Sequence, residues 1–375
     1  MACKLGSHSR GQEMRFTCVT SIFILTLGFV LLPAPTTAQT IPLATDAYSS
    51  DIQAYRTALP RLKAHVADLL AHSNYEELDR LADTICLQKI RVARGEWLLD
   101  YFYFGLSTPV GANPEDHIAQ LKAWTAARPQ SITAHVALAG AYIGYGWAAR
   151  GTGLANTVTP EAWALFNARI AEGKQILDDA ANLTPMCPQW FLEMQMVARA
   201  QGWDRPRAAA LFAQATKFEP DDLQFYINYA AYLLPEWYGH DGDIAELAKQ
   251  VGDSFGGAKG DLFYFEIGSI ALSSNASQPD HLGWATTSHL DWARLQRGHQ
   301  VRLERDGPTN YDMNSFARLA WGFSDAATAK RTFAQIGDKW AIYFWKTRAR
   351  FDEARDWANK STDPDIASPH AIPMP

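Results

Sequence analysis

The sequence predicts an all-α fold, a solenoid of antiparallel helical hairpins, and three observations carry that reading. Helix-start signals recur along the chain at short intervals. Between them, apolar residues return every three to four positions, as in Leu165, Ile170, Ile176, Leu177 and Ala180, or Val136, Leu138, Ala139, Tyr142 and Ile143. Alternating apolar and polar runs bounded by hairpin dipeptides, the mark of half-buried strands, are missing.

The expected helices follow from these signals in order. A first helix over 49–71 contains Pro60, which is expected to kink or split it. Ser73 with Glu76 reads as a capping box opening 74–87. A helix over 90–106 follows. Asn113-Pro114-Glu115-Asp116 supplies a cap, a proline at the first helical position and acid in the first turn of 114–127. After Pro129, Leu138, Ala139 and Tyr142 place large, small and aromatic residues on 131–149. Thr159-Pro160-Glu161 opens 160–182. Helices at 188–201 and 205–217 follow, the second preceded by Asp204. Tyr226, Ala230 and Leu233 pattern 222–234, and Asp243 with Glu246 reads as a capping box for 243–254. The remaining helices are expected at 261–273, 285–304, 312–322, 325–336 (opened by Ser324-Asp325) and 340–358. Gly151–Val158, Pro235–Gly242, Gly256–Gly260 and Ser273–Gly283 read as loops.

A repeat links two of these helices. Gly173, Leu177, Ala180 and Pro185 recur 35 residues later as Ala208, Phe212, Ala215 and Pro220. Small, large, small, proline is the requirement of the second helix of a tetratricopeptide-type hairpin. Small residues admit the neighbouring helix, the large one fills the hairpin core and proline ends the helix. Ala329 and Phe333 begin a further partial copy.

The two ends are expected to lie outside this domain. Phe16 to Leu32 is an uncharged, largely apolar run preceded by Lys4, Arg10 and Arg15, and followed by Pro33-Ala34-Pro35 and Thr36-Thr37-Ala38. That is the layout of a secretory signal peptide over 1–38, cleaved before Gln39, with 39–48 as linker; a retained membrane anchor is the competing reading. Met14, directly before Arg15, is a second candidate start. Residues 359–375 hold four prolines and few large apolar side chains and read as a disordered tail after a domain spanning 49–358. The expected location is the periplasm or outside the cell.

Charge and cysteine content narrow the classes of partner. Without residues 1–38 the chain holds 31 basic and 39 acidic residues. This excess of acid argues against nucleic acid and against an anionic membrane surface. Cys86 and Cys187, about a hundred residues apart, form no disulfide framework and read as buried free thiols.

Chemistry-bearing patterns are sparse. Gly252-Asp253-Ser254-Phe255-Gly256 matches G-x-S-x-G, but that motif requires a strand delivering the serine onto a strained turn before a helix. Here a helix enters and glycines leave, so helix termination explains it better. His240-Asp241-Gly242-Asp243 lacks the oxygen ligands of a calcium loop and the second pair of ligands of a zinc site, so no metal or cofactor is expected. Asp178-Asp179 and Asp221-Asp222 read as solvated or capping carboxylates, and His289 and His299 as ordinary residues of one helix. Thirteen tryptophans belong to a 12% aromatic content, with Trp190, Trp203, Phe225, Tyr226, Tyr229, Tyr232, Trp237 and Tyr238 clustered. They read either as packing between hairpins or as a concave surface for a peptide or glycan. Arg150 either neutralises helix carbonyls or receives an acidic ligand group. The candidate ligand-binding residues are therefore Arg150, Trp237, Tyr238 and His240.

Several stretches together resemble a bacterial family catalogued as a domain of unknown function and related to tetratricopeptide-like repeats. They are Glu77-Leu78-Asp79-Arg80-Leu81-Ala82, Gly95-Glu96-Trp97, Trp147-Ala148-Ala149-Arg150-Gly151, Leu233-Leu234-Pro235-Glu236-Trp237-Tyr238-Gly239 and Phe333-Ala334-Gln335-Ile336-Gly337. The resemblance spans roughly 74–345 and implies a helical fold without an assigned activity. The expectation is an exported, non-catalytic binding or scaffold module for a protein or peptide, less readily a glycan. The alternative is an exported hydrolase using Ser254, or an enzyme acting on glycans.

Overall fold

Caps and apolar stripes set the helix boundaries of this chain. The computed structural model describes residues 52–91, 97–107, 113–184, 186–273 and 282–361. The signal peptide and linker expected over 1–48 and Pro185 of the repeat lie outside the described residues; of the tail expected over 359–375, Asn359 and Lys360 instead close the last helix, and residues from 362 onward lie outside the described ones. Among the described residues sixteen α-helices run in order: α1 Ile52–Ala71, α2 Tyr75–Leu87, α3 Leu98–Gly105, α4 Pro114–Ala127, α5 Ile132–Arg150, α6 Pro160–Ala180, α7 Pro188–Gln201, α8 Arg205–Phe218, α9 Leu223–Tyr232, α10 Asp243–Phe255, α11 Gly257–Ser269, α12 Trp292–Asp306, α13 Asn310–Gly322, α14 Ala326–Ile336, α15 Ile342–Trp345 and α16 Arg348–Lys360. Among the described residues there is no strand, only an isolated antiparallel bridge between Arg91 and Trp97. The fold is all-α.

Many of the start signals act as their chemistry requires. The side chains of Asn113, Thr159, Asp204 and Asp325 accept hydrogen bonds from the backbone N–H groups of Glu115, Ala162, Arg207 and Thr328. Pro60 sits inside an unbroken α1. Others act differently. Ser73 takes a left-handed φ of 55°, and its N–H and that of Asn74 close onto Leu70 and Leu69, so the pair ends α1 instead of capping α2. Asp243 is the first helical residue behind Gly242, and its carboxylate accepts from the His240 N–H at 2.6 Å.

The helix expected over 90–106 begins only at Leu98. Lys89 turns the chain with φ 49°, and Arg91 pairs back to Trp97, whose buried ring it covers at 4.0 Å. The loop expected at Gly256–Gly260 is instead the first turn of α11. Gly256 and Gly257 turn the chain at φ 65° and 55°, and Gly260 serves close packing: a Cβ there would lie 2.1 Å from the Gly252 carbonyl oxygen, so only glycine lets α10 and α11 meet there. The helix expected over 285–304 divides into a 3₁₀ turn, Trp284–Thr287, and α12. His289 separates them with φ 61°, and Asp291 caps α12. His289 and His299 therefore share no helix. Similarly, 340–358 breaks into α15 and α16 at Lys346, φ 61°.

Helices pack mainly on their sequence neighbours. In the middle of the chain α5, α7, α9 and α11 form one row, each touching the next. Against that row lie α6, packed on α5 and α7, and α8, packed on α7 and α9; α10 and α12 pack on α11. The repeated positions fall in this second layer. Ala180 and Ala215 are fully buried, and a Cβ on Gly173 would stand 2.8 Å from Ile143 of α5. Leu177 is buried and Phe212 half-buried, so the small residues set the spacing of the layers. Cys86 and Cys187 are free thiols, and burial pushes the Cys187 thiol up to about 12.

Candidate functional site

Three of the four residues singled out by sequence meet where α5 and α7 end. Arg150 closes α5, and its Nη1 donates to the carbonyls of Gly151 and Gly153 at 3.2 and 3.1 Å, quenching loop and helix-end oxygens. Its guanidinium also faces the rings of Trp147, Trp163 and Trp237 at 5.3–5.7 Å. Trp237 returns from the loop after α9 to meet Trp147 edge-on at 5.6 Å. Tyr238 stacks on Tyr232 and donates its hydroxyl proton to the Arg199 carbonyl at 3.0 Å. The fourth residue stands apart. His240 is exposed, and its ring faces Arg205, which also clamps Asp243 at 2.5 and 3.1 Å.

Arg199 of α7 belongs to this cluster, and sequence reading missed it because nothing in its own helix distinguishes it. Its guanidinium lies 5.3 Å from the Trp147 ring and 5.4 Å from that of Trp237. Burial holds it below the ordinary arginine value, and the neighbouring charge of Arg150 acts the same way. Among the described residues neither Arg150 nor Arg199 has a carboxylate within ion-pair distance; ring faces, and for Arg150 two backbone carbonyls, supply the negative side of their contacts. Trp237 is thus a half-buried wedge between two cations and Trp147. Trp237→Ala is expected to lower stability by about 2 kcal/mol, because it removes both ring contacts and the cover over two arginines. Urea unfolding measures it, and an unchanged midpoint would mean that the ring is dispensable to packing.

The larger concavity lies further back along the same helices. A cavity of about 630 Å³ is lined by α3, α5, α7 and α9. Ala137, Gly140, Ala141, Gly144, Tyr145 and Ala148 form one stripe of α5 at helical spacing, and Gln189, Leu192, Glu193 and Met196 form the facing stripe of α7. Gln224 and Asn228 of α9 continue the wall. Met196 joins the cavity to the arginine cluster, since its sulfur accepts from Arg199 Nη2 at 3.3 Å. Glu193 is the ionisable group of greatest interest here. Gln189 Nε2 donates to its Oε1 at 2.9 Å, and burial pushes its carboxyl up to about 7. The α5 glycines were invisible as a site in the sequence. A small-residue stripe becomes a trench only when a second helix stands opposite.

Similarity to known proteins covers part of this geometry. Residues 62–181 match the model of a family described as Domain of unknown function (DUF4034). No curated protein and no solved structure matches the chain. The matched stretch runs from α1 to the end of α6, so it includes Arg150 and the α3 and α5 walls of the cavity. Glu193, Trp237, Tyr238 and His240 lie beyond it.

The patterns weighed for catalysis and metal binding take ordinary places. Ser254 is exposed in the last turn of α10 and donates its hydroxyl proton to the Val251 carbonyl at 2.8 Å. Asp178 pairs with Lys174 and Asp221 with Lys259, while Asp222 caps α9 from a buried position that raises its carboxyl to about 6. Among the described residues no group of three or more His, Cys, Asp or Glu side chains is placed to hold a metal ion, and no helix is long and apolar enough to cross a membrane. Of the aromatic cluster, Phe225, Tyr226 and Tyr232 are buried in the core.

Proposed function

We propose that this chain is an exported, non-catalytic binding module of tetratricopeptide-like solenoid character that holds an extended segment of a protein or peptide in the cleft between α3, α5, α7 and α9. The observation that carries the reading is the cleft's construction. Its walls come from alternate helices of the chain, so successive hairpins present one continuous trench, the form in which stacked repeats engage another chain. Its volume, about 630 Å³, and its mainly apolar lining with a few polar groups suit a ligand-binding site. The apolar run Phe16–Leu32 and its flanks support export to the periplasm or beyond.

A blocking substitution provides the test. Gly144 lies on the cavity wall, and a Cβ there would meet nothing within 4 Å, so a side chain can leave the backbone there without a clash at its first atom. Peptides enriched from a random heptapeptide library on the full chain are expected to lose at least tenfold in affinity for Gly144→Trp, with unfolding unchanged. Failure to enrich any peptide, or enrichment of peptides indifferent to Gly144→Trp, would count against a peptide-binding cleft.

A further inference from the structure

The cleft has a chemical bias that bears on what it selects, an inference that rests on the cleft being a binding site. Its lining contains two carboxyls, Asp100 and Glu193, and no lysine or arginine. Cations do lie nearby, but each is spent on a ring at the edge. Lys63 of α1 sits 3.6 Å over Phe104, and Arg169 of α6 sits 3.3 Å over Tyr145. Among the described residues Glu193 has no cation within ion-pair distance, and its hydrogen-bond partner is a neutral amide, Gln189.

The carboxyl is held in place on its cavity side. Gly140 of α5 faces it so closely that a Cβ there would stand 3.1 Å from Oε1 and 3.3 Å from the carboxyl carbon. A glycine there lets the carboxyl sit against the α5 backbone without shifting. Gln189, whose Nε2 fixes Oε1, has its own Oε1 buried without a donor. The wall around Glu193 therefore offers unpaired acceptors and carries no positive charge of its own. Beside it, Ala137, Ala141, Gly144 and Met196 form an apolar trench in which an aliphatic stem can lie while its charged end reaches the carboxylate.

We propose that Glu193 binds the ammonium group of a lysine side chain carried by a polypeptide segment lying in the cleft. Lysine satisfies every feature of the wall: an apolar stem for the trench, a compact positive charge for the carboxylate, and donors for unpaired acceptors. Because burial has raised the Glu193 carboxyl to about 7, an incoming ammonium must draw off the remaining proton. Binding should then release a proton near neutral pH. The ionised form is the binding form, so affinity falls as pH falls, by roughly tenfold between pH 8 and pH 6.

The test uses the full chain and three probes in calorimetric titration: acetyl-Ala-Lys-Ala-amide, its norleucine analogue of the same length without charge, and free 1,5-diaminopentane. The lysine peptide is expected to bind at least tenfold more tightly than the norleucine peptide at pH 8. That preference should vanish in Glu193→Gln, which keeps shape and hydrogen-bonding capacity but cannot ionise. Equal binding of both peptides, or a lysine preference that survives Glu193→Gln, would overturn the assignment of Glu193 and leave the cleft as a binding site. Tighter binding of the free diamine than of the peptide would overturn the polypeptide source. Binding of none of the three would overturn the inference outright, whereas the library selection against Gly144→Trp judges the cleft separately. Glu193→Gln is expected to fold, since it removes a charge from a half-buried position without changing side-chain size.

Discussion

Arg302→Ala is expected to cost about 3–5 kcal/mol of stability, the scale of breaking a buried ion pair from one side. Arg302 of α12 lies under three carboxylates that are themselves almost fully buried: Glu266 of α11, Asp306 one turn on, and Asp312 of α13. It donates from Nη1 to Glu266 Oε1, and its Nη2 lies 3.1 Å from Asp312. Burial alone would lower the arginine, but those carboxylates outweigh it and hold its value above the ordinary one. Glu266 shows the opposite balance. Burial raises its carboxyl, and Arg302 only partly offsets that. Alanine at 302 strips the cation and leaves a desolvated carboxylate. The sign of the pH dependence follows. In the variant, Glu266 titrates further above its unfolded value, so the folded state binds the proton more tightly than the unfolded chain does. The stability deficit should therefore be largest at pH 8 and shrink as pH falls through the acidic range. Urea unfolding of Arg302→Ala, and of the double variant with Glu266→Gln, reads both effects. A deficit independent of pH would mean that lost packing and not an orphaned charge dominates.

Gly298→Ala should destabilise by about 3 kcal/mol, against the ordinary preference for alanine in a helix, which favours it by about 1 kcal/mol over glycine. The reason is contact with backbone. A Cβ at 298 would lie 2.1 Å from the Asp261 carbonyl oxygen and 2.5 Å from Phe265 Cβ, where α12 crosses α11. A side-chain end can swing aside, but a helix carbonyl cannot without moving the helix. Gly144→Ala is the matched control, because it meets nothing and should be neutral or stabilise by about 0.5–1 kcal/mol. Thermal unfolding of the pair separates propensity from packing. Equal behaviour of the two variants would mean that the helices have room to separate.

How much could be read in advance depended on the range of the interaction responsible. Asn113, Thr159, Asp204 and Asp325 were legible because a cap is settled within three residues of chain. The buried small positions Gly173, Ala180, Ala208 and Ala215 were legible because their spacing repeats. Ser73 and Asp243 misled because a cap depends on backbone angles as well as on the side chain: Ser73 is itself left-handed and ends the preceding helix, and Asp243 is the first helical residue behind left-handed Gly242. Gly256–Gly260 looked like a flexible loop, since the sequence cannot show that Gly260 lies against Gly252 where two helices touch.

The candidate residues divide along the same line. Arg150, Trp237 and Tyr238 attracted notice as a charge at a helix end and as aromatics on a loop, and they do lie together. Arg199 and Glu193 stand in an unremarkable helix, Pro188–Gln201, and nothing local marks them. The sequence by itself determined that this chain is helical, where most of its helices start, and which small residues sit between layers. Those properties depend on hydrogen bonds and side-chain volumes within one or two turns. Only the tertiary structure decided that Arg150 and Arg199 share two tryptophan rings, and that a glycine on one helix opens a notch for a carboxyl on another. Such pairings depend on which helix faces which, and they are fixed by packing between residues tens of positions apart.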